Sequence, residues 1–332
     1  MNAHASDRRR LLQFLATSAN CLGLSGPIWL RPAQAQGTGA RAAEKAPALL
    51  RIGYQKSAVN LVLLKQQGAL EKRFPQTKIE WLEFPAGPQL LEALSVGSLE
   101  FGLTGDSPPV FAQAAGKPLY YVGAEPAKPL SSAILVPADS PIQKLSDLKG
   151  KRIALQKGSS SHYLLVRAVE QAGLGWGDIQ PIYLAPADAR AAFERKAVDA
   201  WTIWDPYYAA TEISLRPRVL ATGQGLTGNQ SFYLASVALV EQHPQTILAL
   251  FEALTQADRL AQEQPAQAVA LVAAFSGLDP EVVRLFLQRR QRSPVQALSA
   301  AVIAEQQKVA DAFAQLSLIP RKVRVSDIVW KP

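Results

Sequence analysis

From residue 49 to residue 124 short apolar runs alternate with stretches that repeat apolar residues every three or four positions, the rhythm of strands separated by helices. Residues 49–54, 79–84, 99–104 and 119–124 read as strands, and residues 59–74, 88–96 and 108–115 as helices. Helices between successive strands are the mark of parallel α/β architecture. Glu125-Pro126-Ala127-Lys128-Pro129 then interrupts the rhythm and suits a crossing between two lobes. Beyond it the pattern restarts, with strands predicted at 133–136, 152–155, 179–184, 199–204 and 218–221. Helices fall at 161–172, 187–195 and 206–213, with a short helix start at 146–148. The polar, glycine-rich stretch 222–229 reads as a second crossing and 232–239 as a strand after it. From Pro244 the pattern is helical, at 246–263, 266–275, 280–288 and 300–316. The simplest assembly is two α/β lobes joined by two crossings, with 48–126 and 229–332 forming lobe one and 127–228 lobe two.

The first 47 residues follow another pattern. Arg8-Arg9-Arg10 precede a mostly apolar, uncharged stretch from Leu11 to Leu30, and Ala33-Gln34-Ala35 supplies a small-x-small cleavage pattern. These features predict an export signal over 1–35, of either twin-arginine or ordinary secretory type, and a flexible tether over 36–47. Gln13, Thr17, Ser18, Asn20 and Gly26-Pro27 keep the stretch short of the ~20 apolar residues that span a bilayer. Ser18, three places before Cys21, does not suit a lipoprotein anchor. The processed protein is expected to be soluble outside the cytoplasm.

Composition narrows the function classes. Of 332 residues, 48% are hydrophobic and 19% charged, which is globular composition. The net charge of +8 is partly carried by Arg8, Arg9, Arg10 and Arg31 in the leader, and the remaining basic residues form no run. That describes a solvated basic surface and not a nucleic-acid footprint. The single cysteine, Cys21, lies in the leader, so the processed chain has no thiol nucleophile, disulfide or iron–sulfur ligand. Three histidines, one of them His4, leave little for a metal site, and no cofactor is expected.

Three predicted strand-to-helix loops carry the candidate chemistry, because ligands of α/β sheets bind beyond the carboxyl ends of the strands. They are Thr104-Gly105-Asp106-Ser107-Pro108-Pro109, Lys157-Gly158-Ser159-Ser160-Ser161-His162 and Trp204-Asp205-Pro206. In the first, Ser107 is placed as N-cap with Pro108 at the first helical position; in the third, Asp205 is a natural cap. A helix start offers unpaired N–H groups and partial positive charge, and small residues let an oxyanion approach. A tetrahedral oxyanion wants several converging donors, which backbone and hydroxyl groups of Ser159 to His162 are able to supply. Simple capping explains each loop equally well when taken alone. Asp106 and Asp205 repel a bare anion, so they are caps, lobe-to-lobe contacts or partners for an amine on the ligand. Trp201, Trp204, Tyr207 and Tyr208 either wall an alkyl chain or pack the core.

Several stretches resemble the aliphatic-sulfonate-binding proteins of bacterial ABC importers, in order and in register from about residue 49 to the end. They include Ile52-Gly53-Tyr54-Gln55-Lys56, Gly105-Asp106-Ser107-Pro108-Pro109, Asp147-Leu148-Lys149-Gly150-Lys151, Gly158-Ser159-Ser160-Ser161-His162, Trp204-Asp205-Pro206-Tyr207 and Ser231-Phe232-Tyr233-Leu234-Ala235-Ser236. The resemblance implies a bilobed periplasmic-binding-protein fold of type II. It implies a monomer that closes on an alkanesulfonate without chemistry of its own and passes it to a membrane permease for sulfur acquisition. By the same resemblance Gln55, Gly105, Asp106, Ser107, Ser159, Ser160, Ser161, His162, Trp204 and Asp205 line the cleft. For His162 donation to the sulfonate and a place merely near the helix start remain open. Binders of taurine, nitrate and thiamine precursors share this fold and are the alternative ligands. An enzyme is the rival class, but the related pyrimidine-precursor synthases need a cysteine-rich motif, and serines beside His162 at one helix start are poorly set for attack. A ligand sensor using the same cleft is the other rival.

Overall fold

The computed structural model describes residues 46–332. The expected export signal and nearly all of the tether therefore lie outside the described residues. Two five-stranded sheets organise the rest. The first is built from β1 (Leu49–Tyr54), β2 (Lys78–Glu83), β3 (Phe101–Gly105), β4 (Tyr120–Ala124) and β10 (Ser231–Ala235), in the order β2-β1-β3-β10-β4. The second takes β5 (Ser132–Val136), β6 (Arg152–Leu155), β7 (Gln180–Tyr183), β8 (Ala200–Trp204) and β9 (Arg218–Thr222), in the order β7-β6-β8-β5-β9. The protein is thus a bilobed α/β structure.

Neither sheet is wholly parallel, which corrects the expectation from the alternating pattern. β2, β1 and β3 pair in parallel, as do β7, β6 and β8. β10 runs antiparallel between β3 and β4, and β5 antiparallel between β8 and β9. Each is the first strand after the chain changes lobe, so it enters its new sheet against the local direction. This has a consequence for the cleft. The starts of β5 and β10 lie beside the ends of β8 and β3, with Ser132 opposite Trp204 and Ser231 opposite Gly105. Residues of both crossings are thereby delivered to the edge where the strand-to-helix loops emerge.

The crossings are bonded to each other. Lys128 N–H donates to Gly228 O at 2.7 Å, Glu125 N–H to Ser231 O at 2.9 Å and Gly223 N–H to Pro129 O at 2.8 Å. Gly223 has no room for more, since a Cβ there would stand 2.6 Å from Pro129 O.

Helices α1 (Val59–Gln67), α2 (Ala69–Arg73), α3 (Gly87–Ser95) and α4 (Ser107–Ala114) join the strands of lobe one, and α5 (Ser160–Gln171), α6 (Pro186–Glu194) and α7 (Tyr207–Leu215) those of lobe two. The single helix predicted over 59–74 is split, because Gly68 adopts the left-handed conformation (φ 56°) and its N–H caps the Leu64 and Lys65 carbonyls. The strand predicted over 232–239 stops at Ala235. Ser236 Oγ accepts the Leu239 N–H at 3.2 Å and starts helix α8 (Val237–Gln242). Then follow α9 (Pro244–Glu263), α10 (Pro265–Ser276), α11 (Pro280–Arg290) and α12 (Ala300–Gln315).

These terminal helices complete lobe one. Ile247, Leu250 and Leu254 of α9 and Val283 and Phe286 of α11 bury against Leu61, Leu63 and Leu64 of α1. Val309 and Phe313 of α12 close the other face against Leu91, Val110 and Tyr121. Phe232 sits on β10 between β3 and β4, fully buried and edge-on to Tyr121 at 5.2 Å. Phe232→Ala should therefore cost about 3–5 kcal/mol of stability, readable as a lower urea midpoint at unchanged slope. No helix among the described residues is long and apolar enough to cross a membrane.

Candidate functional site

Between the lobes lies a cavity of about 60 Å³. Gln55 follows β1, Gly105 ends β3, Ser159 and Ser160 open α5, and Trp204 and Asp205 close β8; all six line this cavity. The crossings add Lys128 and Asn229, the entries to β5 and β10 add Ser131 and Ser231, and α11 adds Phe286 and Arg290. Most of the wall is out of solvent: Thr104 is 1% exposed, Ser159 3%, Asp205 2% and Arg290 3%. The lobes therefore stand closed over a space that admits roughly five waters, at about 10–15 Å³ each.

The serine loop belongs to lobe two and faces lobe one. Gly158 adopts φ 73°, which side chains rarely accept, and a Cβ there would lie 3.3 Å from Phe111. Ser159 Oγ donates to Gln156 O at 2.7 Å and shares a 2.8 Å hydrogen bond with Ser161 Oγ. No side chain caps the first turn of α5, and while the His162 N–H donates to Ser159 O at 2.9 Å, the Ser160 and Ser161 N–H groups are left for a ligand.

The cationic side of the cavity is held from behind by carboxylates. Lys128 Nζ donates to Glu125 Oε2 at 2.7 Å and Ser231 Oγ at 2.8 Å. Arg290 places Nη2 3.6 Å from Glu125 Oε1 and Nη1 3.5 Å from Asp258 Oδ1, and Nη2 has no hydrogen-bond partner. Glu125 Oε1 also accepts from Tyr233 Oη at 2.9 Å and Asn60 Nδ2 at 3.2 Å. Burial pushes the Glu125 carboxyl up, but Lys128 and Arg290 outweigh it and hold the group below its ordinary value. Burial also pulls the Lys128 ammonium down. The cations reach the cavity while Glu125 and Asp258 do not line it, so their charge is available to an anion. Leu103, Pro108, Trp204 and Phe286 supply apolar wall.

Asp205 joins the lobes. Its Oδ1 caps α7 through the Ala209 N–H at 3.0 Å and accepts from Arg289 Nη1 of α11 at 3.1 Å. Arg289 also pairs with Glu212 and lies 3.8 Å above the Tyr208 ring. Burial still pushes the Asp205 carboxyl up, to about 7, against the pull of Arg289.

Four of the sequence-predicted residues do not line the cavity. Asp106 occupies the N-cap position expected of Ser107, which instead opens α4 and donates its Oγ to Asp106 Oδ1 at 2.8 Å. The Asp106 carbonyl accepts from Gln306 Nε2 at 2.6 Å, and burial pushes its carboxyl up to about 6. Ser161 is consumed by Ser159. His162 turns away from the cavity: Nδ1 accepts the Gly158 N–H at 3.2 Å, and Nε2 is buried without a partner. Among the described residues no hydrogen bond joins the His162 ring to a serine hydroxyl, so a nucleophile–base pair is not assembled. No group of three or more His, Cys, Asp or Glu among them is placed to hold a metal.

Sequence reasoning missed Lys128, Asn229, Ser231 and Arg290. Lys128 and Asn229 lie in the crossings, where polar residues read as linker, Ser231 opens β10, and Arg290 reads as the basic end of a helix.

Comparison with known proteins identifies the family. The NMT1/THI5-like family matches residues 80–268. The alkanesulfonate-binding protein SsuA from Xanthomonas axonopodis pv. citri, solved with bound MOPS, is 50% identical, with TM-score 0.83 over 86% of this chain and 99% of that one. The periplasmic aliphatic sulphonate binding protein SsuA from Escherichia coli is also 50% identical, with TM-score 0.80 over 86% of this chain and 93% of that one. A taurine-binding periplasmic protein of Escherichia coli (strain K12) is 26% identical over 226 residues, 64% of this chain and 69% of its own length. The chain belongs to the NMT1/THI5-like family and, within it, to the aliphatic-sulfonate-binding proteins.

Proposed function

We propose that the chain captures an aliphatic sulfonate in the periplasm, by closing its lobes around it, and delivers it to the permease of an ABC importer for sulfur acquisition. The observation that carries this reading is the meeting of two cations, the buried Arg290 and the largely buried Lys128, with the start of α5, uncapped by any side chain, on one cavity between the lobes. In this reading the sulfonate oxygens take donors from the Ser160 hydroxyl, the free N–H groups at the start of α5 and Arg290. Gln55 and Gly105 bound the head group, and the alkyl chain lies on Leu103, Trp204 and Phe286. Hydrogen bonds to a charged group contribute about 1.5–3 kcal/mol each, and several are needed to offset the desolvation of a sulfonate. The names of the half-identical relatives support the ligand class.

Calorimetric titration with short alkanesulfonates, taurine, sulfate and nitrate tests it. Saturable binding of the alkanesulfonates above the other anions is expected; preference for nitrate or sulfate overturns the ligand class. Preferred taurine binding would assign Asp205 to the ligand's ammonium. Ser160→Ala is expected to weaken alkanesulfonate binding about tenfold, the loss of one charge-assisted hydrogen bond, at unchanged melting temperature.

A further inference from the structure

His162 is carried by lobe two but packed by both lobes. Phe111 of α4 and Phe313 of α12, from lobe one, lie 6.0 and 5.0 Å from its ring centre. Trp176 and Tyr183, from lobe two, lie at 5.2 and 5.8 Å. The residue is fully buried. Since Nδ1 accepts from Gly158, the single ring proton is on Nε2. A second proton would have to sit on Nδ1, facing the Gly158 N–H, which only donates. Protonation would therefore break the contact that orders the serine loop and also leave a charge among aromatic rings.

We infer that His162 is a positioning residue that couples lobe closure to pH: neutral, it locks the serine loop and the lobe seam together, and protonated, it forces the seam open and releases the ligand. This rests on the reading that the ligand is captured by closure.

The ionisable groups around the ring are few. Lys157 of the serine loop adds a positive field, and Tyr183 of β7 presents its ring edge. Tyr163 neighbours it on α5, while α4 and α12 bring the uncharged Phe111 and Phe313 and the turn at Trp176–Asp178 brings an indole. Burial, aided by Lys157, pulls the His162 pKa down to about 3. When the lobes part, Phe111 and Phe313 leave the ring and it returns toward the ordinary value of about 6.5. The closed form thus binds fewer protons than the open form. Closure is at full strength above about pH 6.5 and weakens below it, by up to about tenfold per pH unit. Asp106 and Asp205, both raised by burial, act with the opposite sign.

The test compares the full chain with its His162→Asn variant, whose side-chain oxygen keeps an acceptor for Gly158 and whose other titrating groups are unchanged. Between pH 7.5 and 5.0 the affinity for 1-butanesulfonate is expected to fall about tenfold more in the wild type than in the variant. Proton NMR of the wild type gives a reading independent of the variant's folding, because the chain has only three histidines. His162 is expected to titrate near pH 6 without ligand and to stay neutral to about pH 4 with 1-butanesulfonate bound. Parallel affinity profiles, or a ligand-free His162 that titrates below about pH 4, overturn the coupling. Absence of butanesulfonate binding at pH 7.5 overturns the ligand reading instead, and the ligand-free titration still decides the coupling.

Discussion

Gly105→Val is expected to abolish sulfonate binding while leaving the protein folded. Gly105 ends β3 in lobe one, and a Cβ built on it meets both Cβ and Oγ of Ser160 at 3.0 Å. Nothing closer crowds it, and its backbone does not need glycine's left-handed freedom. The obstacle therefore comes from the other lobe and exists only when the lobes are shut. Valine adds two methyls beyond that Cβ, and they have nowhere to go except into the serine loop. The open form accommodates them at little cost, so the variant should melt within a few degrees of the wild type. Its affinity should fall at least a hundredfold, because the closed state carries the Ser160 and Arg290 contacts. Gly105→Ala should fall between, since a few tenths of an ångström of movement by Ser160 relieves its contact. Titration calorimetry with melting curves on both variants checks this; near-native affinity in Gly105→Val would mean the ligand is held without closure.

Arg290→Leu is expected to damage stability and binding together. Its guanidinium is one of two cations that hold Glu125 ionised, and it also faces Asp258. Removing one member of a buried charge network leaves the others uncompensated, at about 3–5 kcal/mol. Glu125 would keep Lys128, Tyr233 and Asn60, and Asp258 would keep the Ser293 N–H at 2.9 Å, which places the loss at the lower end, about 3 kcal/mol. The cavity meanwhile loses its unpartnered donor at Nη2. Urea denaturation should show the lower midpoint, and calorimetry at a temperature where the variant is folded should show at least a hundredfold weaker binding. Arg290→Lys keeps a charge but not the planar fork, so it should recover part of the stability and little of the affinity. Affinity retained in both would remove Arg290 from the ligand's contacts.

Much of the site could be read in the chain because its physics is local. The Gly158-Ser159-Ser160 loop follows a short apolar run and precedes a helical repeat, and Trp204-Asp205 stands in the same relation to α7. Loops after parallel strands need only the strand–helix order to be located. The role of His162, which the sequence left open, is not local in that sense. Its neighbours in sequence are serines of the loop, but one residue further along a helix turns the side chain by about 100°. That rotation carries it out of the loop's face and into the seam between Phe111 and Phe313.

What the sequence by itself determined is the set of local elements: strand and helix order, the two crossings, the serine-rich helix start and an acid in the β8 loop. Local periodicity and capping decide these, and both are written within a few neighbouring residues. Tertiary structure alone decided that β5 and β10 enter their sheets antiparallel, and with that reversal the crossings came to the mouth of the cleft. It alone brought Arg290, from the far end of α11, to Glu125 and Lys128. The attraction between charges depends on their distance in space and on the dielectric around them, and neither quantity exists until the chain has folded.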